Sequence, residues 1–257
     1  MDFIRYDSKE RIALITLDRA DKRNALNAQM IGELHSAFER AEKEQTAKVI
    51  VLRANGTVFS AGADLEYLLE LQRNSLEDNL EDSRHLKDLL LRIRNCPRVV
   101  IAQVQGHAIA GGCGLVSACD LVFSASGARF GYTECKIGFV PALVAGFLRQ
   151  RIGEGRAREM LLTGSLIDAE TARSYGLVNY IAEADQLEAE TLALARQLET
   201  ETSADSIAYT KQLLAATVGL PLEEGMEIAA ALNARARLGD DFKKGVQAFL
   251  AKDKPRW

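Results

Sequence analysis

Two rhythms of apolar and polar residues organise the first 184 positions, and a third takes over after them. RIALITLD (11–18) is a β-branched apolar run bounded by charges, which predicts a strand. A polar connection, RADKRNALN (19–27), leads into AQMIGELHSAFERAEK (28–43), whose apolar positions recur at helical spacing. KVIVLRA (48–54) has the unbroken apolar run of a buried strand, and NGTVFSAGADL (55–65) is a glycine-bearing loop. The leucine-striped, polar segment 65–95 predicts a helix broken near Asn74–Ser75 and ended by Pro97. RVVIAQVQG (98–106) is a second buried strand, followed by the small-residue run AIAGGCGLVSACD (108–120). LVFSA (121–125), ARFGY (128–132) and LVNYI (177–181) supply further short strands.

Beyond Ala184 the pattern becomes four successive amphipathic stretches, separated at Ser203, Pro221 and Gly239–Asp240. They predict a helical region over 185–257 behind a sheet-rich core over 1–184, the domain division we expect. Such a tail must bury its apolar stripes on the body or on another subunit.

A shift of fifty positions lays Val49 on Val99, Gly56 on Gly106 and Gly62 on Gly112. Each copy runs strand, glycine loop, then a helix that starts at or just after small residues. The pattern fits a stacked β–β–α repeat, and equally an ordinary alternating α/β sheet.

Composition narrows the function classes. A hydrophobic fraction of 47% and a charged fraction of 26% belong to a soluble globular protein, here of 257 residues. The net charge of −4 argues against nucleic acid as a partner. The N-terminal stretch lacks an apolar signal core and no run is long enough to span a bilayer, so we expect a cytoplasmic protein without a membrane partner. Cys96, Cys113, Cys119 and Cys135 form no C-x-x-C pair and read as free thiols of a reducing compartment. His35, His85 and His107 show no metal spacing, and His107 reads as a packed or hydrogen-bonded residue.

The two glycine loops carry the candidate chemistry. Small residues at a helix start leave its first N–H groups, which lack intrahelical partners, accessible to an oxygen atom. Two such loops facing each other would offer two N–H donors to one oxyanion. Taken singly, each loop is explained as well or better by tight turning and close packing. The motifs of a P-loop, a dinucleotide fingerprint and a nucleophile elbow are missing. For proton transfer the candidate is Glu134, set among apolar and small residues that would desolvate it and raise its pKa. A surface glutamate on a turn is the ordinary alternative. Asp64 and Asp120 follow small residues where capping or backbone hydrogen bonding accounts for them.

FSAGADL (59–65), GHAIAGGCGL (106–115), Cys119–Asp120, FGYTECKIGFVP (130–141) and LLTGSLIDAETARSYGLVN (161–179) resemble the enoyl-CoA hydratase/isomerase (crotonase) family, from Asn24–Leu26 to the terminal lysine-rich helix. The resemblance implies an α/β fold, a crotonase-like spiral of ββα repeats with a C-terminal helical trimerisation region, assembled as a homotrimer or hexamer. It implies an acyl-CoA thioester substrate and no separate cofactor or metal, coenzyme A entering as part of the substrate. Ala63 and Gly111 would supply the backbone oxyanion donors, and Glu134 matches the second catalytic glutamate of the hydratases. Ala25, Leu26, Ala61 and Leu65 would lie along CoA, with Asp64, Gly112 and Gly114 in the same pocket. Lys22 and Arg23 would meet its phosphates, joined by Lys252 or Lys254 of a neighbouring subunit. Tyr67, Leu68 and Leu71 would cover the acyl tail. This chain departs from the family at Ala20, where proline is usual, and at Gly114. There AGGCG replaces GGGCE, so the first catalytic glutamate is lost. The expected reaction is hydration of a 2-enoyl-CoA by a single glutamate. The alternatives are Δ3,Δ2-enoyl-CoA isomerisation, another proton transfer on an acyl-CoA, and a non-catalytic CoA- or RNA-binding member.

Overall fold

A computed structural model describes residues 1–44, 46–255 and 257. The chain opens with β1 (Ile4–Lys9) and β2 (Ile12–Leu17), an antiparallel pair with Ile4 opposite Leu17. Sequence pattern finds only the second, because IRYDSK buries Ile4 alone and is otherwise an exposed or half-buried edge. A 3-10 turn at Ala20–Lys22 leads to α1 (Ala28–Lys43), capped by the Asn27 side chain, which accepts from the Met30 N–H at 2.9 Å.

Three turns of a spiral follow. The first runs β3 (Val49–Ala54), β4 (Val58–Ser60), α2 (Leu65–Leu71) and α3 (Leu76–Asn95). Its helix breaks where Ser75 and Asp78 form a reciprocal capping box. The second is β5 (Val99–Val104), β6 (His107–Ile109) and α4 (Gly111–Ala118). The third is β7 (Leu121–Ala125), β8 (Arg129–Gly131), a 3-10 turn at Glu134–Ile137, α5 (Ala142–Ile152) and α6 (Glu154–Thr163). Then come β9 (Ile167–Asp168), α7 (Ala169–Tyr175), β10 (Tyr180–Ala182) and α8 (Leu187–Glu201). Finally α9 (Ala204–Ala216), α10 (Leu222–Ala236) and α11 (Asp240–Leu250) form the tail.

The strands sort into two sheets, ordered β1-β2-β3-β5-β7-β10 and β4-β6-β8-β9. In the first, Val49 stands opposite Val99 in parallel register, so the fifty-residue repeat is a physical stacking of turns. Alternate residues of its strands feed opposite cores. Ile50, Leu52, Val100 and Ala102 face the interior shared with α1, α3 and α4, whereas Val49, Val51, Val99 and Ile101 face α8 through Leu187 and Ala195. Burial on both faces is why KVIVLRA and RVVIAQVQG read as unbroken apolar runs. The loop assigned to 55–65 contains the strand β4, and β6 follows β5 directly, each too short to show a period of its own.

The tail divides in two. α8 packs on the sheet, while α9–α11 leave Leu222, Met226, Leu238, Phe249 and Leu250 strongly exposed. Among the described residues no helix is long and apolar enough to cross a membrane.

Candidate active site

Three neighbouring parallel strands of the smaller sheet deliver the candidate residues. Ser60 of β4 pairs with Ala108 of β6, and Ala108 in turn with Phe130 of β8. Ala63 and Gly111 each lie three residues past their paired positions, and Glu134 lies four past Phe130. All three therefore follow the same, carboxyl-terminal edge of the sheet, with Gly111 just past the middle strand, β6. A slip between Val58 and Ser60 sets the alignment. It lowers the separation between turns from the forty-nine of Val58–His107 to the forty-eight of Ser60–Ala108, against the fifty of Val49–Val99 in the larger sheet. Structure thus brings Ala63 beside Gly111, where the fifty-residue shift had matched Gly62 to Gly112.

The two glycine loops touch. Gly62 adopts φ +87°, and a Cβ placed on it would lie 2.6 Å from the Ala110 Cβ and 3.3 Å from the Gly111 N. A side chain there would separate the loops, so both uses of glycine, turning and close approach, operate at this one position. Ala110 itself holds φ 51° and ψ −124°, a conformation strained for a residue with a Cβ. Its N–H donates to the Gly131 oxygen at 2.8 Å, which ties the start of α4 to the end of β8.

Neither the Ala63 N–H nor the Gly111 N–H donates to any acceptor among the described residues. No side chain caps α4, although six of its residues beyond Gly111 and Gly112 are buried. A half-buried helix start with bare donors is an anion-stabilising arrangement.

Glu134 begins the 3-10 turn, and its backbone oxygen accepts from the Gly138 and Phe139 N–H groups. The side chain is buried, at 8% exposure, and Oε2 has no hydrogen-bond partner. Burial raises its pKa above the usual carboxylate range, opposed only by its own backbone N–H. Tyr132, two residues earlier, is fully buried with its hydroxyl unpartnered, and burial pushes its pKa well up.

The other candidates are placed as follows. Ala25 and Leu26 are buried, Leu26 bridges to Ala63 in parallel fashion, and the Ala61 N–H donates to the Arg23 oxygen at 3.0 Å. Asp64 caps α2 through the Glu66 N–H and forms an ion pair with Arg19 at 2.6 Å. Burial would raise its pKa, but the hydrogen bond from Arg19, the Glu66 amide and the Arg19 charge together lower it. Lys22 is paired with Glu66 at 3.0 Å, and Arg23 is exposed in a left-handed conformation with φ 53°. Leu65 is exposed, while Gly112 lies against Ser60. Beside Gly114 stands Val144 of α5, whose Cγ1 would be 2.3 Å from a Cβ at that position. No sequence pattern pointed to Val144, or to Arg19. Tyr67 donates to Asp82, fastening α2 to α3. Asp120 accepts from the Val100 N–H and pairs with Lys211. His107, expected to be packed or hydrogen-bonded, is exposed, since it opens a three-residue strand at the sheet's amino-terminal edge. Cys135 is exposed, whereas the other three thiols are buried.

Fold and site together define a stacked-turn α/β protein presenting two amides and one buried carboxyl to a common edge. The chain belongs to the enoyl-CoA hydratase/isomerase family, whose sequence profile matches residues 7–257. It is 40% identical over 249 residues to a Thermus thermophilus protein named "Putative enoyl-CoA hydratase", covering 97% of this chain and 98% of that one. It is 32% identical to the 2,3-dehydroadipyl-CoA hydratase of Escherichia coli, over 96% of this chain and 95% of the other. Among solved structures, an enoyl-CoA hydratase from Shewanella pealeana superposes with a TM-score of 0.94 at 29% identity, spanning 99% and 96% of the two chains.

Proposed function

We propose that this protein hydrates a 2-enoyl-CoA to a 3-hydroxyacyl-CoA with Glu134 as its one catalytic carboxyl. The observation that carries the reading is the shared strand edge: two amides without acceptors and a buried carboxyl oxygen without a partner. The names of the E. coli and Shewanella relatives support hydration in particular.

The thioester oxygen accepts from the Ala63 and Gly111 N–H groups. Charge develops on that oxygen as water adds to C3, and fixed donors stabilise it without reorganising. Glu134 takes a proton from the attacking water, the C2–C3 π pair moves onto the thioester as an enolate, and Glu134 returns the proton to C2. The step balances with water alone. A carboxyl whose pKa is raised by burial holds and releases that proton more evenly than an exposed one. Coenzyme A is bound along Ala25, Leu26, Ala61, Asp64 and Leu65, with Gly112 and Gly114 in the pocket wall and Arg23 and Lys22 toward the phosphates. Lys22 must leave Glu66 to do so. The apolar faces of α9–α11 are buried between copies in a trimer or hexamer.

One observation favours a second reading. Val144 presents a methyl group beside Gly114, so that wall of the site offers no polar atom to hold a water. A single carboxyl against an apolar wall suits transfer of a proton from C2 to C4, the isomerase reaction. Incubation with 2-enoyl- and 3-enoyl-CoA, with product identification, separates the readings. Hydration predicts 3-hydroxyacyl-CoA from the 2-enoyl substrate. Conjugation of the 3-enoyl substrate with no hydroxyl product would replace hydratase by isomerase.

A further inference from the structure

A half-buried cation, Arg19, lies behind the first glycine loop. The Arg19 side chain is 12% exposed, and its Nη1 donates to Asp64 Oδ2 at 2.6 Å and to the Ala25 oxygen at 3.1 Å. Its guanidinium also stacks over the Phe3 ring, 4.9 Å from the centroid. The Ala25 carbonyl belongs to the peptide unit whose N–H is that of Leu26. That N–H donates to the Gly62 oxygen at 2.7 Å. The Gly62 carbonyl in turn belongs to the peptide unit whose N–H is that of Ala63. In a trans peptide the C=O and N–H point in opposite directions, so the bond to Leu26 aims the Ala63 N–H away from the loop and into the site. The Asp64 N–H donates to the Leu26 oxygen at 2.8 Å and closes the other side of Ala63.

We propose that Arg19 is a positioning residue for the Ala63 amide, acting through two peptide units in series. The sequence of donors runs from the Arg19 guanidinium to the Ala25 carbonyl, through the Leu26 N–H to the Gly62 carbonyl, and ends at the Ala63 N–H. A cation at the head of such a chain polarises each member in the same sense and strengthens the last donor. The ion pair with Asp64 holds the cation at that head and pins the residue that follows Ala63. The inference rests on the reading of Ala63 as a donor to the thioester oxygen.

The test uses 4-dimethylaminocinnamoyl-CoA, whose absorption moves to longer wavelength when its carbonyl is polarised. The native protein should bind it with a red shift. Arg19→Met should bind it with a dissociation constant within about threefold but with a clearly smaller shift, and turnover should fall about tenfold at nearly unchanged KM. Arg19→Lys, which keeps a cationic donor at the head, should recover most of the shift. If Arg19→Met does not fold, Arg19→Gln gives the answer: its amide can still donate to the Ala25 oxygen but carries no charge, so its shift should fall clearly below the native one, and a shift equal to the native one would overturn the inference. A full red shift in folded Arg19→Met overturns it as well and leaves the reading of the site standing. A native protein that binds the thioester with no shift at all removes the role of the Ala63 amide, and that of Arg19 with it.

Discussion

As the proposed base, Glu134 should set the pH behaviour of the site. Its folded pKa lies above the ordinary glutamate value of about 4.5 because burial disfavours the charged form. As the base, Glu134 must be ionised, so kcat/KM should fall as pH drops through a value above 4.5, and the fall should be absent from the residual rate of Glu134→Gln. That variant should lose about 10²- to 10⁴-fold in kcat. The stability sign is the reverse of a paired carboxylate's. Below the unfolded pKa both states hold the proton and the burial costs nothing extra; as pH rises through the raised folded value, ionisation destabilises the native state. Glu134→Gln should therefore melt at or above the native temperature at pH 8, with the gap closing at pH 4. A melting temperature well below the native one at pH 8 would mean that the carboxylate is held by a partner. Gly114 supplies a second residue-scale prediction. Gly114→Glu alone should cost about 1–3 kcal/mol in urea unfolding, because its Cβ meets the Val144 Cγ1 at 2.3 Å. Combining it with Val144→Gly should recover part of that loss, a coupling of at least about 0.5 kcal/mol in the double-mutant cycle. If the hydratase reading holds, the double variant should also gain hydration relative to Gly114→Glu. Strict additivity would mean the two side chains do not compete for the same space.

At the scale of elements, legibility followed burial and length. The runs at 48–54 and 98–106 were legible because both faces of the larger sheet are covered, and their fifty-residue spacing is the true register of β3 on β5. The smaller sheet is legible only in part: ARFGY (128–132) marks β8, whereas Val58–Ser60 and His107–Ile109, of three residues each, carry too few positions for a period. Hence the pattern found two turns and missed the third, whose β8 follows β6 by only twenty-two residues, without the long helical excursion of the first turn. The glycines marked both loops, but Ala63 and Gly111 were singled out by family resemblance and not by spacing. The separation of forty-eight in the smaller sheet, where the larger has fifty, explains why. Nothing in the sequence marked Arg19, which resembles any charged residue at a strand end, or Val144, an ordinary apolar position of a helix.

The whole molecule is finished on one side and unfinished on the other. The two cores shield Ile15, Leu17, Phe38, Phe59 and Phe130 from solvent. By contrast Leu222, Met226 and Leu238, at 76%, 59% and 76% exposure, lie on or beside α10 and form the kind of apolar surface that isolated chains seldom display. The protein should sediment as a trimer or hexamer, and Leu222→Lys with Met226→Lys should shift it toward smaller species. Sedimentation of the native chain as a monomer would refute this assembly.

The slipped register between β4 and β6 also constrains how this molecule can change. Ala63 and Gly111 each stand three residues beyond a paired strand position, so the placement of their amides depends on the length of those spans. Inserting or removing one residue in either short span would rotate its donor out of alignment while leaving every sheet bond upstream intact. Change at this edge is thereby channelled into substitutions, such as those at Gly114 and its neighbour Val144, with the two loop lengths held constant.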